Sequence, residues 1–260
     1  MPTLPRVSPA QRGLVLEPTS TSLGTFSEYS SPPCFMHELD QSFLGLNGET
    51  NFASGVPPVQ SATPHWQLIK QWRKETRGAL IDARVRISAQ DRAVWSTRIN
   101  HSLEAALVPT SGKLIGFYWP FKGEFDARPV LTALRDRGIR LALPVVVEKA
   151  QPLQFREWWP GIPMSRGVWN IPIPAEGETV IPDVLIAPLV GFDSSGFRLG
   201  YGGGFYDRTI AHCQVKPLII GIGFELGRLP TIYPQAHDIA MDLIVTENSY
   251  CARDSSIAFS

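Results

Sequence analysis

Gly191-Phe192-Asp193-Ser194-Ser195-Gly196-Phe197-Arg198-Leu199-Gly200-Tyr201-Gly202-Gly203-Gly204-Phe205-Tyr206-Asp207-Arg208 is the stretch on which the fold turns. It follows an apolar run over residues 184–190 and leads into a predicted helix over 203–213, so it reads as strand, glycine-rich loop, helix. Gly200, Gly202, Gly203 and Gly204 fall within five positions. Glycine takes positive φ without a Cβ penalty and lets backbone approach a ligand closely, so such a loop can turn its amides on an anion beside a helix N-terminus. Arg198 and Arg208 flank it with guanidinium forks suited to phosphate. The spacing is neither GxxxxGK nor GxGxxG, because Phe205 stands where a dinucleotide loop needs its last glycine. The alternative is a flexible spacer, but aromatic and charged residues interleave with these glycines.

Outward from the loop, helical and strand patterns alternate. Residues from Trp66 onward set Trp66, Ile69, Trp72, Leu80 and Ile81 on one helix face and Lys70, Arg73, Lys74 and Arg77 on another. Ser88 offers an N-cap for a second helix to about Leu107 that carries Val94, Ile99, Leu103 and Leu107. Residues 113–119 and 140–147 read as strands around a helix over 127–137 that Gly138 stops. Residues 217–224 and 242–246 are further strands. This order predicts an α/β fold: a doubly wound, mainly parallel sheet with helices on both faces and its ligand site at the carboxyl ends of the strands. One domain over residues 65–260 is expected. Residues 1–64 contain 29 Ser, Thr, Pro or Gly and no sustained apolar period, so they read as a low-complexity, mostly disordered extension. Within it, Phe35, Met36, Leu39, Phe43 and Leu44 in the 34–46 patch are spaced for a short helix.

Charge narrows the function classes. Lys plus Arg equal Asp plus Glu at 24 each, so no global field exists to hold nucleic acid or an anionic membrane. Cys34, Cys213 and Cys251 lie far apart with no CxxC spacing, which fits a reducing cytoplasm better than a disulfide framework or a zinc site. No apolar run approaches the roughly 20 residues that cross a bilayer, and no charged head precedes an apolar stretch at the N-terminus. Two basic residues against five acidic ones in residues 1–64 argue against a transit peptide.

Several residues outside the glycines suit chemistry, each with a plainer alternative. Asp207 opens the helix after the loop, where a carboxylate can meet a divalent cation shared with phosphate or can cap the helix. Asp238 is a second carboxylate candidate, although in isolation it reads as a turn residue. Glu124 follows the first strand, where functional groups cluster in this architecture; otherwise it is a solvated loop glutamate. Trp119, Trp169, Tyr201 and Phe205 offer flat surfaces for a conjugated ring or simply fill the core. Arg73, Lys74 and Arg77 are anion-binding candidates or a solvated helix face.

Five motifs in order combine these signals: Arg73-Lys74-Glu75-Thr76-Arg77, Gly123-Glu124, Trp169-Asn170-Ile171-Pro172, the 191–208 segment, and His237-Asp238. With them, residues 73–247 resemble the 5-formyltetrahydrofolate cyclo-ligase family. The resemblance implies ATP-dependent cyclisation of 5-formyltetrahydrofolate to the 5,10-methenyl form, with phosphorylation of the formyl oxygen. It implies that Arg73, Lys74, Arg77, Arg198, Gly200, Tyr201, Gly202, Gly203, Gly204, Phe205 and Tyr206 hold ATP, and that Asp207 and Asp238 hold Mg²⁺. Trp119, Glu124, Trp169, Tyr201 and Phe205 would form the reduced-folate side, with Glu124, Arg198 and Tyr206 as the catalytic set. A monomer is expected. Arg73 stands where many members carry Lys, Phe205 where Tyr is common, and Gly227 where a Gln is common. Those departures leave a second expectation, a folate- or nucleotide-binding paralogue without turnover.

Overall fold

The structure, a computed structural model, describes residues 65–248 and 250–252. The expectations for residues 1–64, including the short helix at 34–46, lie outside them. Helices α1 (His65–Val85) and α2 (Ala89–Leu107) come first. Ser88 caps α2 as its spacing predicts, its hydroxyl accepting from the Asp91 amide at 3.0 Å, a cap worth about 1 kcal/mol. Strand β1 (Leu114–Gly116), helix α3 (Arg128–Leu134) and strand β2 (Arg140–Val145) form the first β–α–β unit. A single 3₁₀ turn extends α3 to Gly138, whose φ of 82° supplies the left-handed stop. Then come β3 (Gln154–Trp158), β4 (Met164–Arg166), β5 (Pro172–Pro174), β6 (Thr179–Val180), β7 (Val184–Pro188), β8 (Gly191–Asp193) and β9 (Arg198–Leu199). Helix α4 (Phe205–His212), β10 (Leu218–Ile222), β11 (Arg228–Leu229), β12 (Leu243–Val245) and β13 (Tyr250–Ala252) complete the chain.

Eight strands make the main sheet in the order β13-β12-β10-β7-β1-β2-β3-β6. The run from β12 to β2 is parallel, while β13, β3 and β6 pair antiparallel at the two edges. The sheet is therefore mixed, with a parallel centre. Its order places the crevice: from β1 the chain crosses to β2 on one side, whereas from β7 it crosses to β10 on the other. Loops leaving the adjacent strands β1 and β7 diverge, which opens a cleft at their carboxyl ends.

Side chains on successive strand positions point to opposite faces, and two apolar clusters result. Ile115, Leu141, Leu143, Ile186 and Ile220 pack with Ile99, Leu103 and Leu107 of α2 and Leu131 of α3. Leu114, Ala142, Leu185, Ile219 and Ile244 pack with Phe155, Phe192 and Ile210 of α4. Two expected core positions are instead outside it: Val94 is 47% exposed and Trp66 51% exposed. On α1 the inward face is shared by Ile81 and arginines, so apolar periodicity alone misassigns it.

Candidate active site

The glycine loop leaves the β8–β9 hairpin and ends at α4. Gly202 and Gly204 have φ of 92° and 62°, conformations in which any Cβ is strained, and Gly204 is the residue that starts the helix. A Cβ on Gly203 would stand 2.8 Å from the Phe205 ring, so that glycine is required by packing. Arg77 reaches the loop from α1: its Nε donates to the Gly200 carbonyl at 2.6 Å, and its guanidinium lies against Gly202. Arg208 donates to the Gly203 carbonyl and stacks over Phe205 with its guanidinium carbon 5.2 Å from the ring centre. Three polar atoms here are buried without a hydrogen-bond partner: Arg198 Nη1, Arg208 Nε and the Tyr206 hydroxyl. Unpaired buried donors are costly, and their concentration beside one loop marks a place built for an anionic guest. Burial pushes the Tyr206 phenol up, with the Glu124 charge adding to the effect, so its hydroxyl keeps its proton.

Glu124 sits on the other wall, in the loop after β1. It is buried, which excludes a solvated loop glutamate. Its Oε1 accepts from the Tyr201 hydroxyl at 2.9 Å and its Oε2 from the Phe121 amide at 2.8 Å. Burial raises its pKa to about 7, against the opposing pull of the Arg84 charge and of these two hydrogen bonds. A carboxyl group that changes charge near neutrality beside a cleft is suited to binding or moving a proton on a substrate nitrogen.

The two predicted metal carboxylates are near each other but engaged by arginines. Asp207 Oδ2 accepts from Arg198 Nη2 at 2.9 Å, and its Oδ1 accepts from the Ile239 amide at 3.1 Å, so it ties α4 to the residue after Asp238 and caps nothing. Asp238 Oδ2 accepts from Arg73 Nη2 at 2.5 Å and from the Gln235 amide at 2.7 Å, which also makes it the turn residue of its alternative reading. Arg73 further donates to the carbonyls of Ile232 and Tyr233. Arg73 and Arg77 are thus half-buried fixtures of the site and not a solvated face. Lys74 is half-buried on the same helix. Among the described residues no group of three or more His, Cys, Asp or Glu side chains is placed to hold a metal ion.

Of the predicted aromatics, Trp169 and Phe205 meet edge to face with ring centres 6.1 Å apart. Trp169 and Asn170 both have positive φ, at 57° and 59°, so a strained turn presents an indole that is 39% exposed. Trp119 lies further along β1's exit, where Arg128 stacks on it at 4.2 Å and Trp158 packs on its edge at 6.5 Å. Asp126 holds Arg128 with two hydrogen bonds. One face of Trp119 is therefore already taken.

Sequence reasoning missed Arg84 and Arg92. Arg84 is 3% exposed and reaches Tyr201, Lys122 and Leu189; Arg92 reaches Gly123 and the Arg84 carbonyl. The spacing of Arg73, Arg77, Leu80 and Arg84 along one helical stripe is the signal that was available. A concavity of about 410 Å³ opens at the amino ends of β1, β7 and β10, among Lys113, Asp183 and Lys216, and none of the site residues line it.

A glycine loop with buried cationic donors and a buried acid, joined at the switch point of a mixed sheet with a parallel centre, defines an α/β protein with a candidate anion-binding site. A model of the 5-formyltetrahydrofolate cyclo-ligase family matches residues 69–247. The chain is 28% identical over 186 residues to the 5-formyltetrahydrofolate cyclo-ligase of Haemophilus influenzae, covering 67% of this chain and 98% of that protein. It is 34% identical over 147 residues to that of Mycolicibacterium smegmatis, covering 52% and 74%. The solved 5,10-methenyltetrahydrofolate synthetase of Aquifex aeolicus superimposes with a TM-score of 0.61 at 28% identity, over 72% of this chain and 95% of that one. The chain belongs to the 5-formyltetrahydrofolate cyclo-ligase family.

Proposed function

We propose that this protein converts 5-formyltetrahydrofolate to 5,10-methenyltetrahydrofolate at the expense of ATP. The observation that carries the reading is the set of buried, unpaired polar atoms on Arg198, Tyr206 and Arg208, all flanking a glycine loop whose Tyr201 bonds Glu124. The formyl oxygen attacks the γ-phosphoryl group and ADP departs; N10 then attacks the activated carbon, its proton is released to the departing phosphate or to solvent, and phosphate leaves with the former formyl oxygen. An amide-like oxygen is a poor leaving group, which is why the reaction needs the phosphoryl group.

Each residue has a task in this scheme. Arg77, Arg198 and the amides of the glycine loop hold the phosphates and oppose the charge that spreads over the transferred group. Tyr206 donates its hydroxyl to the same anion. Arg73 and Lys74 add positive charge from α1. Glu124, oriented by Tyr201, accepts from the reduced pterin ring, while Trp169, Phe205 and the open face of Trp119 pack on it. Catalysis is then mostly positioning and charge stabilisation.

Mg²⁺ fits the donor set in type. It takes one or two carboxylates and fills its remaining positions with water and phosphate oxygens, and Asp207 is bonded to the residue following Asp238. Each carboxylate keeps lone pairs beyond those its arginine occupies. When bound, the ion would neutralise phosphate charge. The same reading takes the sheet as doubly wound, with α2 and α3 on one face and α4 on the other, and the protein as a cytoplasmic monomer. Cys213 is a free thiol, and no helix among the described residues is long and apolar enough to cross a membrane.

ADP release tests the reading: it should appear on mixing Mg-ATP with 5-formyltetrahydrofolate, one ADP per folate consumed, and stay at background without the folate. Folate binding with no ADP release would assign the protein to the non-catalytic alternative.

A further inference from the structure

Arg84 is the most heavily engaged buried cation in the site. Its Nε donates to the Lys122 carbonyl at 3.1 Å, Nη1 to the Leu189 carbonyl at 3.0 Å, and Nη2 to the Tyr201 hydroxyl at 2.6 Å. Glu124 Oε1 lies 3.9 Å from the same Nη2. One side chain on α1 therefore touches the β1 loop, the end of the β7 segment and the glycine loop.

What it grips at the β1 loop is a strained turn. Lys122 and Gly123 are consecutive left-handed residues, with φ of 46° and 72°. An arginine captures each of their carbonyls: Arg84 that of Lys122, and Arg92 that of Gly123 at 2.7 Å. Arg92 also donates to the Arg84 backbone carbonyl at 2.7 Å, so the two clamps are joined. The turn closes with Glu124 N donating to the Phe121 carbonyl at 3.1 Å and Phe121 N donating to Glu124 Oε2. This is the geometry that folds the Glu124 carboxylate back into the cleft.

We propose that Arg84 is a positioning residue for Glu124, tying the turn that carries this carboxylate to the glycine loop through Tyr201. The inference rests on the cyclo-ligase reading above and adds a structural link between its folate and nucleotide halves. A lysine at 84 keeps the charge but not the fork, and cannot serve three acceptors in three directions.

The charged and titratable groups facing Glu124 are Arg84 from α1, Tyr118 from the end of β1, Tyr201 from the glycine loop and Tyr206 from α4. The three phenols stay protonated throughout the neutral range because burial raises them. Arg84 alone therefore favours ionised Glu124 by its charge.

The test is a double-mutant cycle on the dissociation constant of 5-formyltetrahydrofolate, with Arg84→Lys, Glu124→Gln and the double variant, each checked for fold by circular dichroism. Arg84→Lys should weaken folate binding about tenfold through loss of the fork, while the acid limb of the pH profile of kcat/KM, which depends on a charge that lysine keeps, moves little. In the Glu124→Gln background the same change should cost less than about threefold. Equal losses in both backgrounds, or no loss in either, would overturn the proposal. Should Arg84→Lys not fold, Tyr201→Phe cuts the same link with the guanidinium in place; weaker folate binding in it supports the link, and unchanged binding overturns it. A wild type that binds folate but forms no methenyl product would sink the underlying reading while leaving the cycle on binding intact.

Discussion

The Tyr201 hydroxyl donates to Glu124 Oε1 at 2.9 Å, across 77 positions of chain. Tyr201 belongs to the glycine loop and Glu124 to the exit of β1, so this bond spans the cleft between the two diverging loops. In the proposed site it joins the half assigned to the nucleotide to the half assigned to the folate.

Because Glu124 titrates at about 7 against an ordinary 4.5, the folded state holds a proton that the unfolded chain has lost across that interval. Stability therefore falls as pH rises from about 4.5 to 7, by on the order of 3 kcal/mol at about 1.4 kcal/mol per pH unit. Denaturant unfolding at a series of pH values should show this slope, and Glu124→Gln should flatten it. With ionised Glu124 as the acceptor for the pterin, kcat/KM for the folate should rise with an acid limb near pH 7.

Arg198 pairs with Asp207 through Nη2 and leaves Nη1 buried and unpaired beside the loop. Arg198→Lys should raise the KM for ATP by about 10- to 100-fold, as expected for a lost charged hydrogen bond of roughly 1.5–3 kcal/mol. Folate affinity measured without nucleotide should stay near wild type. An unchanged ATP KM would remove Arg198 from the phosphate site.

Gly204→Ala forces a Cβ into a backbone with φ of 62° and places it 2.9 Å from the Arg208 guanidinium. Thermal unfolding should show a loss of about 1–2 kcal/mol, and ATP binding should weaken because the start of α4 shifts. Retention of wild-type stability and affinity would mean that the loop tolerates other conformations.

Leu103 is fully buried between α2 and the sheet. Leu103→Ala should cost about 3 kcal/mol in chemical denaturation, with the KM values preserved in the folded fraction.

The parallel strands were legible because β1, β2, β7, β10 and β12 are buried on both faces and read as continuous apolar runs. Strand β3 was not, since Arg156 and Glu157 interrupt it and Glu157 is drawn into a pair with Arg140 of β2. The small β4–β5 hairpin carries prolines at both ends of β5, which argue against a strand when read locally. In the site, order and spacing mark the glycine loop, whereas Glu124 read alone could be a solvated loop glutamate and only the family resemblance assigns it a role. Spacing puts Arg84 on the stripe of Arg73 and Arg77 but not in the interior, because its burial depends on acceptors at Lys122, Leu189 and Tyr201 that only the fold collects. Asp207 and Asp238 were read as metal carboxylates, while their arginine partners became visible only in three dimensions.

The most direct measurement is the absorbance of the methenyl-folate chromophore on mixing the protein with 5-formyltetrahydrofolate and Mg-ATP. A rise that requires both substrates and is lost in Glu124→Ala is expected. A folded protein that binds the folate yet produces no methenyl chromophore would contradict the cyclo-ligase reading.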